Sequence, residues 1–152
     1  MTNEQINLQD VKRGIDYIGV NVVFYCHDGK GNLLLHRRSA KCRDEQGCWD
    51  CGGGSMEFGE TFEEAVRREI YEEYGVVPDE LVHVTTHNVI RDNHGIKTHW
   101  VAVLFAVKVN PLQVCIGEPE KMDELAWFLP ENIPEDRHSM FDIHFDLVKP
   151  YL

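Results

Sequence analysis

Three glutamates, Glu69, Glu72 and Glu73, stand at i, i+3 and i+4 in the run Arg68-Glu69-Ile70-Tyr71-Glu72-Glu73. On a helix that spacing puts all three carboxylates on one face. Like charges so close destabilise a helix unless something positive lies among them. Carboxylate oxygens are hard ligands suited to Mg²⁺, or to Mn²⁺ in its place. Arg67 and Arg68 offer a plainer explanation, a solvated acidic helix with its own ion pairs. Helix periodicity alone leaves both explanations open.

The helix is well signalled. Thr61 and Glu64 have the spacing of a capping box, which satisfies orphan amides at a helix start. Gly75 supplies a left-handed stop, and Pro78 prevents resumption. Phe62, Ala65, Val66 and Ile70 recur at helical spacing and fall on nearly the same side as Glu69 and Glu73. A surface helix ordinarily turns its acids away from its apolar stripe. This one points two of them toward the body of the protein.

The wider spacing is more specific. Gly54, Glu60 and Arg68-Glu69-Ile70-x-Glu72-Glu73-x-Gly75-Val76 resemble the Nudix box at every specified position, far more constraint than a lone glycine motif carries. The resemblance implies an α/β fold, an α/β/α sandwich around a mixed β-sheet with the box as loop-helix-loop. It implies hydrolysis of a nucleoside diphosphate linked to another moiety, with Mg²⁺ or Mn²⁺ as cofactor. Carried over by position, it makes Glu69, Glu72 and Glu73 the expected metal ligands and catalytic carboxylates, with the Gly54 carbonyl as a further ligand. Arg68 is expected to steady that cluster, and Glu60 to brace the loop before the helix. Members of the family often keep the general base outside the box, and Glu118 and Glu120 in GEPEK are the candidates here. An exposed acidic loop is the plainer reading of both. Gly53 is expected to allow close approach of substrate, since any Cβ would obstruct it. Arg37 and Arg38, with His36, end a strand where they could meet phosphate, or could be a solvated strand end. Tyr17, Trp49 and Trp100 could stack on a base, although large aromatics serve a core more often.

Composition agrees with one small-molecule domain. The chain has 152 residues and a net charge of −11. That length suffices for a real core, and we expect a polar arm over residues 1–14 and a single domain over 15–152. So acidic a chain lacks the basic face that a nucleic-acid polymer requires. No apolar run reaches membrane-spanning length, and the polar start is not a signal peptide, so the expected location is cytoplasmic. A nucleotide-type small molecule is the expected partner; a homodimer remains open. Cys48 and Cys51 form a C-x-x-C, but no second pair completes a zinc set, and Cys51 runs into glycines rather than a helix start. Free thiols are the expectation.

The elements that must position these residues follow the chain. Residues 17–26 (YIGVNVVFYC) read as a buried strand with core on both faces, and LLLHRRS returns as its hairpin partner. CWDC is a short strand before the glycines. Residues 81–91 and 98–109 form two strands about the turn DNHG, residues 124–129 a last strand, and residues 139–152 a closing helix. Hairpins on this scale exclude a purely parallel doubly wound sheet. Substrate signals are weaker. The downstream proline common in ADP-ribose pyrophosphatases of the family is missing from VIRDNHG, and the coenzyme A signature is present in spacing only. The segment EPEKMDELAWFLPENIP ranks triphosphates and dinucleoside-type compounds ahead of coenzyme A. A catalytically silent ligand sensor is the alternative of a different class, and the intact acids of the box weigh against it.

Overall fold

The computed structural model describes Asn7 and residues 9–152; residues 1–6 and Leu8, within the expected N-terminal arm, lie outside the described residues. The strands are β1 (Gly19–His27), β2 (Leu33–Arg38), β3 (Trp49–Asp50), β4 (Gly52–Ser55), β5 (Glu80–Asn93), β6 (Ile96–Lys108) and β7 (Met122–Phe128), with helices α1 (Phe62–Tyr74) and α2 (Phe141–Val148). They form one seven-stranded sheet whose main path runs β3-β2-β1-β6-β5, with β4 paired to β1 and β7 to β2. Among the described strands only β1 and β6 pair in parallel, from Gly19↔Trp100 to His27↔Lys108; every other strand ladder is antiparallel. The mixed sheet expected from the hairpins is present.

Alternation along β1 divides the core. Val22, Phe24 and Cys26 pack on one face with Ala65, Val66 and Ile70 of α1. Val23 and Tyr25 pack on the other with Phe141 and Val148 of α2. β1 is thus buried on both sides, as a central strand between two helical layers must be. The Tyr25 hydroxyl donates to the Phe141 carbonyl at 2.9 Å and anchors the short second helix.

Local rules explain the element ends. Thr61 and Glu64 make both bonds of the capping box, and Gly75 closes α1 at φ 62° with its N–H on Tyr71 O. β5 and β6 join through His94 (φ 54°) and Gly95 (φ 86°), the left-handed pair that a tight hairpin requires. One difference matters for the site. The glycines before the box form a strand rather than a loop, Gly52 to Ser55 pairing with Phe24 to Asn21. They do so because the sheet is crowded there. A Cβ on Gly52 would sit 1.9 Å from the Phe24 ring, so only glycine lets β4 lie beside β1.

Candidate active site

On α1 the residues Ala65, Val66, Glu69, Ile70, Glu73 and Tyr74 are buried together. The acids therefore do share the apolar face, with Glu69 and Glu73 only 6% and 5% exposed. Glu72 is exposed. Gly54 of β4 lies directly under Glu69, where a Cβ would come within 2.0 Å of the carboxylate carbon. The Gly53 N–H donates to Glu73 Oε2 at 3.3 Å. Burial pushes the Glu73 carboxyl well above its ordinary range, and the neighbouring Glu69 and then Glu118 push it further. Burial also raises Glu69, against the pull of Arg68.

Arg68 gathers the box. Its guanidinium donates to both oxygens of Glu60, to Glu69 Oε1 at 2.8 Å, to Glu72 Oε2 at 3.2 Å and to the Ser55 carbonyl at 3.1 Å. The planar fork of arginine suits such multiple contacts better than lysine would. Glu60 in turn accepts from the Glu57 N–H at 2.8 Å, tying down the loop before α1. Hydrogen bonding to Arg68 holds the Glu60 carboxyl below its usual range. This ion network is continuous from loop to helix.

The two acids outside the box part company. Glu120 lies at the surface, 76% exposed in its side chain, and pairs with Lys41 at 3.0 Å. Glu118 is 23% exposed and pairs with Lys121 at 2.9 Å through Oε1. Its other oxygen, Oε2, is buried and has no partner among the described residues. Gly117 brings it there. The Gly117 N–H donates to Glu73 O at 2.8 Å, and a Cβ would strike Glu72 O at 2.1 Å.

Two adjoining clefts open beside this cluster. One, of about 580 Å³, is bordered by Glu69, Glu72 and Lys121. The other, of about 510 Å³, runs over the opposite face of the sheet past Asn21, Glu73, Trp100 and His144. Arg13, Arg38 and Arg43 border both, as do Gly54 and Ser55. Arg38 reaches this junction while held by Asp44 at 2.8 Å and Asp50 at 3.5 Å. Arg37 lies outside both clefts, bonded to Gly47 O at 3.1 Å and to Glu124 at 3.5 Å. His36 is buried against the Tyr74 hydroxyl at 2.8 Å, and burial lowers it to about 3, so it is a neutral group. Of the aromatic candidates, Trp49 is in the core at 8% exposure, Tyr17 is half exposed, and Trp100 lines the second cleft.

The sequence reading missed Arg13, Arg43, Asn21 and His144. They come from the arm, a loop, β1 and α2, and share no local spacing. It also missed Glu45, whose carboxylate accepts from the Ser139 N–H at 2.7 Å and meets His138 at 2.6 Å and Arg91 at 3.4 Å. That knot ties the loop after β2 to the segment before α2, along the cleft wall.

The family model of the NUDIX domain matches residues 18–147. This chain belongs to the NUDIX family. The domain is 29% identical over 133 residues to an uncharacterized Nudix hydrolase of Yersinia pestis, covering 87% of this chain and 66% of that protein. It is 35% identical over 122 residues to an ADP-ribose pyrophosphatase of Methanocaldococcus jannaschii, covering 79% and 64%. The chain thus spans just under two thirds of the length of these relatives. Among solved structures, a MutT NUDIX hydrolase from Burkholderia pseudomallei superposes with a TM-score of 0.76 at 27% identity, covering 87% of this chain and 98% of that one.

NUDIX hydrolases generally use divalent metals, and the residues of this NUDIX domain fit one. The donors are hard carboxylate oxygens. Gly54 leaves room for Glu69 against the backbone, and Glu118 Oε2 is buried without a partner. No three His, Cys, Asp or Glu side chains among the described residues are gathered in a ready metal-binding arrangement. Arg68 takes up an oxygen of Glu69 and one of Glu72. Among the described residues no helix is long and apolar enough to cross a membrane.

Proposed function

We propose that this NUDIX domain is a divalent-metal-dependent hydrolase that cleaves the phosphoanhydride of nucleoside diphosphate-linked compounds. The observation that carries this reading is Glu73, a carboxylate on the border of a cleft, raised first by its burial and then by Glu69 and Glu118. Clustered acids kept at that cost in a cleft mark a functional site more readily than a structural one.

Glu69, Glu72 and Glu73, with the Gly54 carbonyl, would hold the metal. What a bound divalent ion supplies there is neutralisation of phosphoryl oxygens and acidification of water. The chain's own residues do the rest. Arg13, Arg38 and Arg43 draw the anionic diphosphate to the junction of the clefts, which a net charge of −11 would otherwise repel. Gly53 and Gly54 let it approach the backbone. Glu118, through its free oxygen, receives the proton of the attacking water; this role passes to it from Glu120, which is engaged with Lys41 at the surface. Water adds to one phosphorus, the bridging P–O bond breaks, and two phosphorylated products leave. Arg68 positions Glu69 and Glu72 without touching the reacting atoms.

A panel of nucleoside triphosphates, ADP-ribose, nucleotide sugars, dinucleoside polyphosphates and coenzyme A tests this reading, with and without Mg²⁺. A nucleoside monophosphate, or its 3′-phosphorylated counterpart from coenzyme A, should appear only with metal, and phosphomonoesters should be inert. Metal-independent release, or cleavage of a monoester, contradicts it. One observation favours a second reading. As arranged, Arg68 occupies the acids that a metal needs, which suits a ligand sensor. That reading predicts binding without turnover on the same panel.

A further inference from the structure

The face of the sheet beneath α2 carries three polar atoms that nothing serves. Asn21 Oδ1, His87 Nε2 and His144 Nε2 are all buried and without a hydrogen-bond partner among the described residues. They form one group rather than three accidents. Asn21 pairs in register with Ala102 of β6, and Ala102 with His87 of β5. Residues in such a row share a face, and here it is the face of Val23 and Ala102, under α2. Ala102 is small, so Asn21 and His87 flank a shallow gap, their backbones about 10 Å apart at ordinary strand spacing. His144 closes it from above, its ring edge-on to that of His87 at 5.1 Å between centroids. Asn21 and His144 line the cleft that continues from Gly54 and Glu73.

A buried polar atom left unpaired costs about 1–3 kcal/mol, and native proteins carry few. Three around one small residue, two of them in the wall of a cleft, call for a ligand. The chemistry narrows which ligand. No lysine or arginine belongs to the group. Burial, and then His87, hold His144 down to about 4, so it is neutral near pH 7. Arg13, Arg38, Arg43 and Arg91 line the same cleft and are the groups a phosphate would take. A hydrocarbon tail would leave all three atoms unpaired. Hydroxyl groups both donate and accept, so they serve the amide oxygen and either tautomer of each imidazole.

We infer that Asn21, His87 and His144 form a hydrogen-bonding subsite that selects the group carried on the diphosphate, and that the group it takes is a hydroxyl-bearing sugar. This deepens the proposed function and rests on the cleft being the diphosphate site. The three residues bind and select; none touches the reacting phosphorus.

Calorimetric titration in EDTA tests the subsite apart from turnover, with ADP-ribose, isopentenyl diphosphate and inorganic pyrophosphate as probes. The wild-type chain should bind ADP-ribose at least about tenfold more tightly than either of the others, as one well-served buried polar group would give. Asn21→Leu and His87→Phe should each weaken ADP-ribose by about tenfold while leaving pyrophosphate within about twofold. His87 is only half buried, so its variant remains informative if a change at Asn21 or His144 prevents folding. Equal affinity for the three probes, or no binding of ADP-ribose, overturns the inference. So do variants that lower the melting temperature yet keep the wild-type ratio, since the atoms are then served by buried water. Preference for ADP-ribose without hydrolysis of any compound in Mg²⁺ would remove the hydrolase reading and leave the subsite standing.

Discussion

The two faces of the sheet solve different problems. Beneath α1, charge is concentrated and largely self-contained: Arg68 binds Glu60, Glu69 and Glu72 within one stretch of chain. Beneath α2 lie three unpaired polar atoms from β1, β5 and α2, with aromatic packing behind them, beside a cleft that Arg13, Arg38, Arg43 and Arg91 also line. The first face has the means to work on a phosphoanhydride. The second has the means to choose what is attached to it. Gly53 and Gly54 are where the two meet, since a strand without side chains lets one ligand touch both. Hydrogen-bonding groups set apart from the carboxylate cluster would allow specificity to change without disturbing that cluster.

The sharpest way to break that division is Glu73→Gln. Turnover with Mg²⁺ should fall by at least about 100-fold, because losing even a residue behind a metal ligand commonly costs 10–100-fold. Metal-free thermal stability should hold or rise, since a buried, raised carboxyl is replaced by a neutral amide. Steady-state kinetics beside a melting curve checks both, and near-normal turnover in a folded variant removes Glu73 from the site.

The other face should answer to acid. His144 is depressed to about 4 by burial and is only 6% exposed, against an unfolded value near 6.5. The unfolded chain therefore takes up the proton first. Stability is full above about pH 6.5, is lost as pH falls from there to about 4, and is flat below as far as this group is concerned, with a total of up to about 3 kcal/mol. Urea unfolding across that window should show a slope that His144→Phe flattens. An unchanged slope would assign the acid response elsewhere.

Metal should stabilise the α1 face alone. At a free Mg²⁺ concentration 100 times the dissociation constant, the folded state gains about 2.7 kcal/mol. EDTA should reverse the rise in melting temperature, and a variant with glutamine at 69, 72 and 73 should show none. An equal rise in that variant places the metal outside the cluster.

Gly54→Ala tests the seam between the faces. The added methyl falls within 2.0 Å of the Glu69 carboxylate, and such overpacking costs about 1–3 kcal/mol. Activity should drop, and ADP-ribose binding in EDTA should weaken with it because Gly54 borders both clefts; unchanged activity and binding in a folded variant would remove Gly54 from the seam. The smallest effect belongs to Thr61→Ala. Loss of the cap should cost about 1 kcal/mol in chemical denaturation and leave the cleft beneath α2 untouched. A change in ligand preference from that variant would contradict the division.

Much of the α1 face was legible in the sequence. The capping box, the glycine stop and the acids facing the apolar stripe all depend on contacts within a few residues, and helical geometry converts spacing directly into position. The hairpin of β5 and β6 was legible for the same reason, in the turn DNHG. The difference between Glu118 and Glu120 was not, because two acids in one loop have the same local chemistry. Only Gly117 packing against the end of α1 gave one of them to Glu73.

What the sequence by itself determined is the family, the box helix and the placement of its carboxylates, all encoded at short range. What only the tertiary structure decided is the cleft on the other side. Asn21, His87 and His144 become neighbours because β1 pairs in parallel with β6, β6 antiparallel with β5, and α2 is anchored on Tyr25. Strand register and helix docking depend on contacts far apart in the chain, and no spacing along the sequence records them.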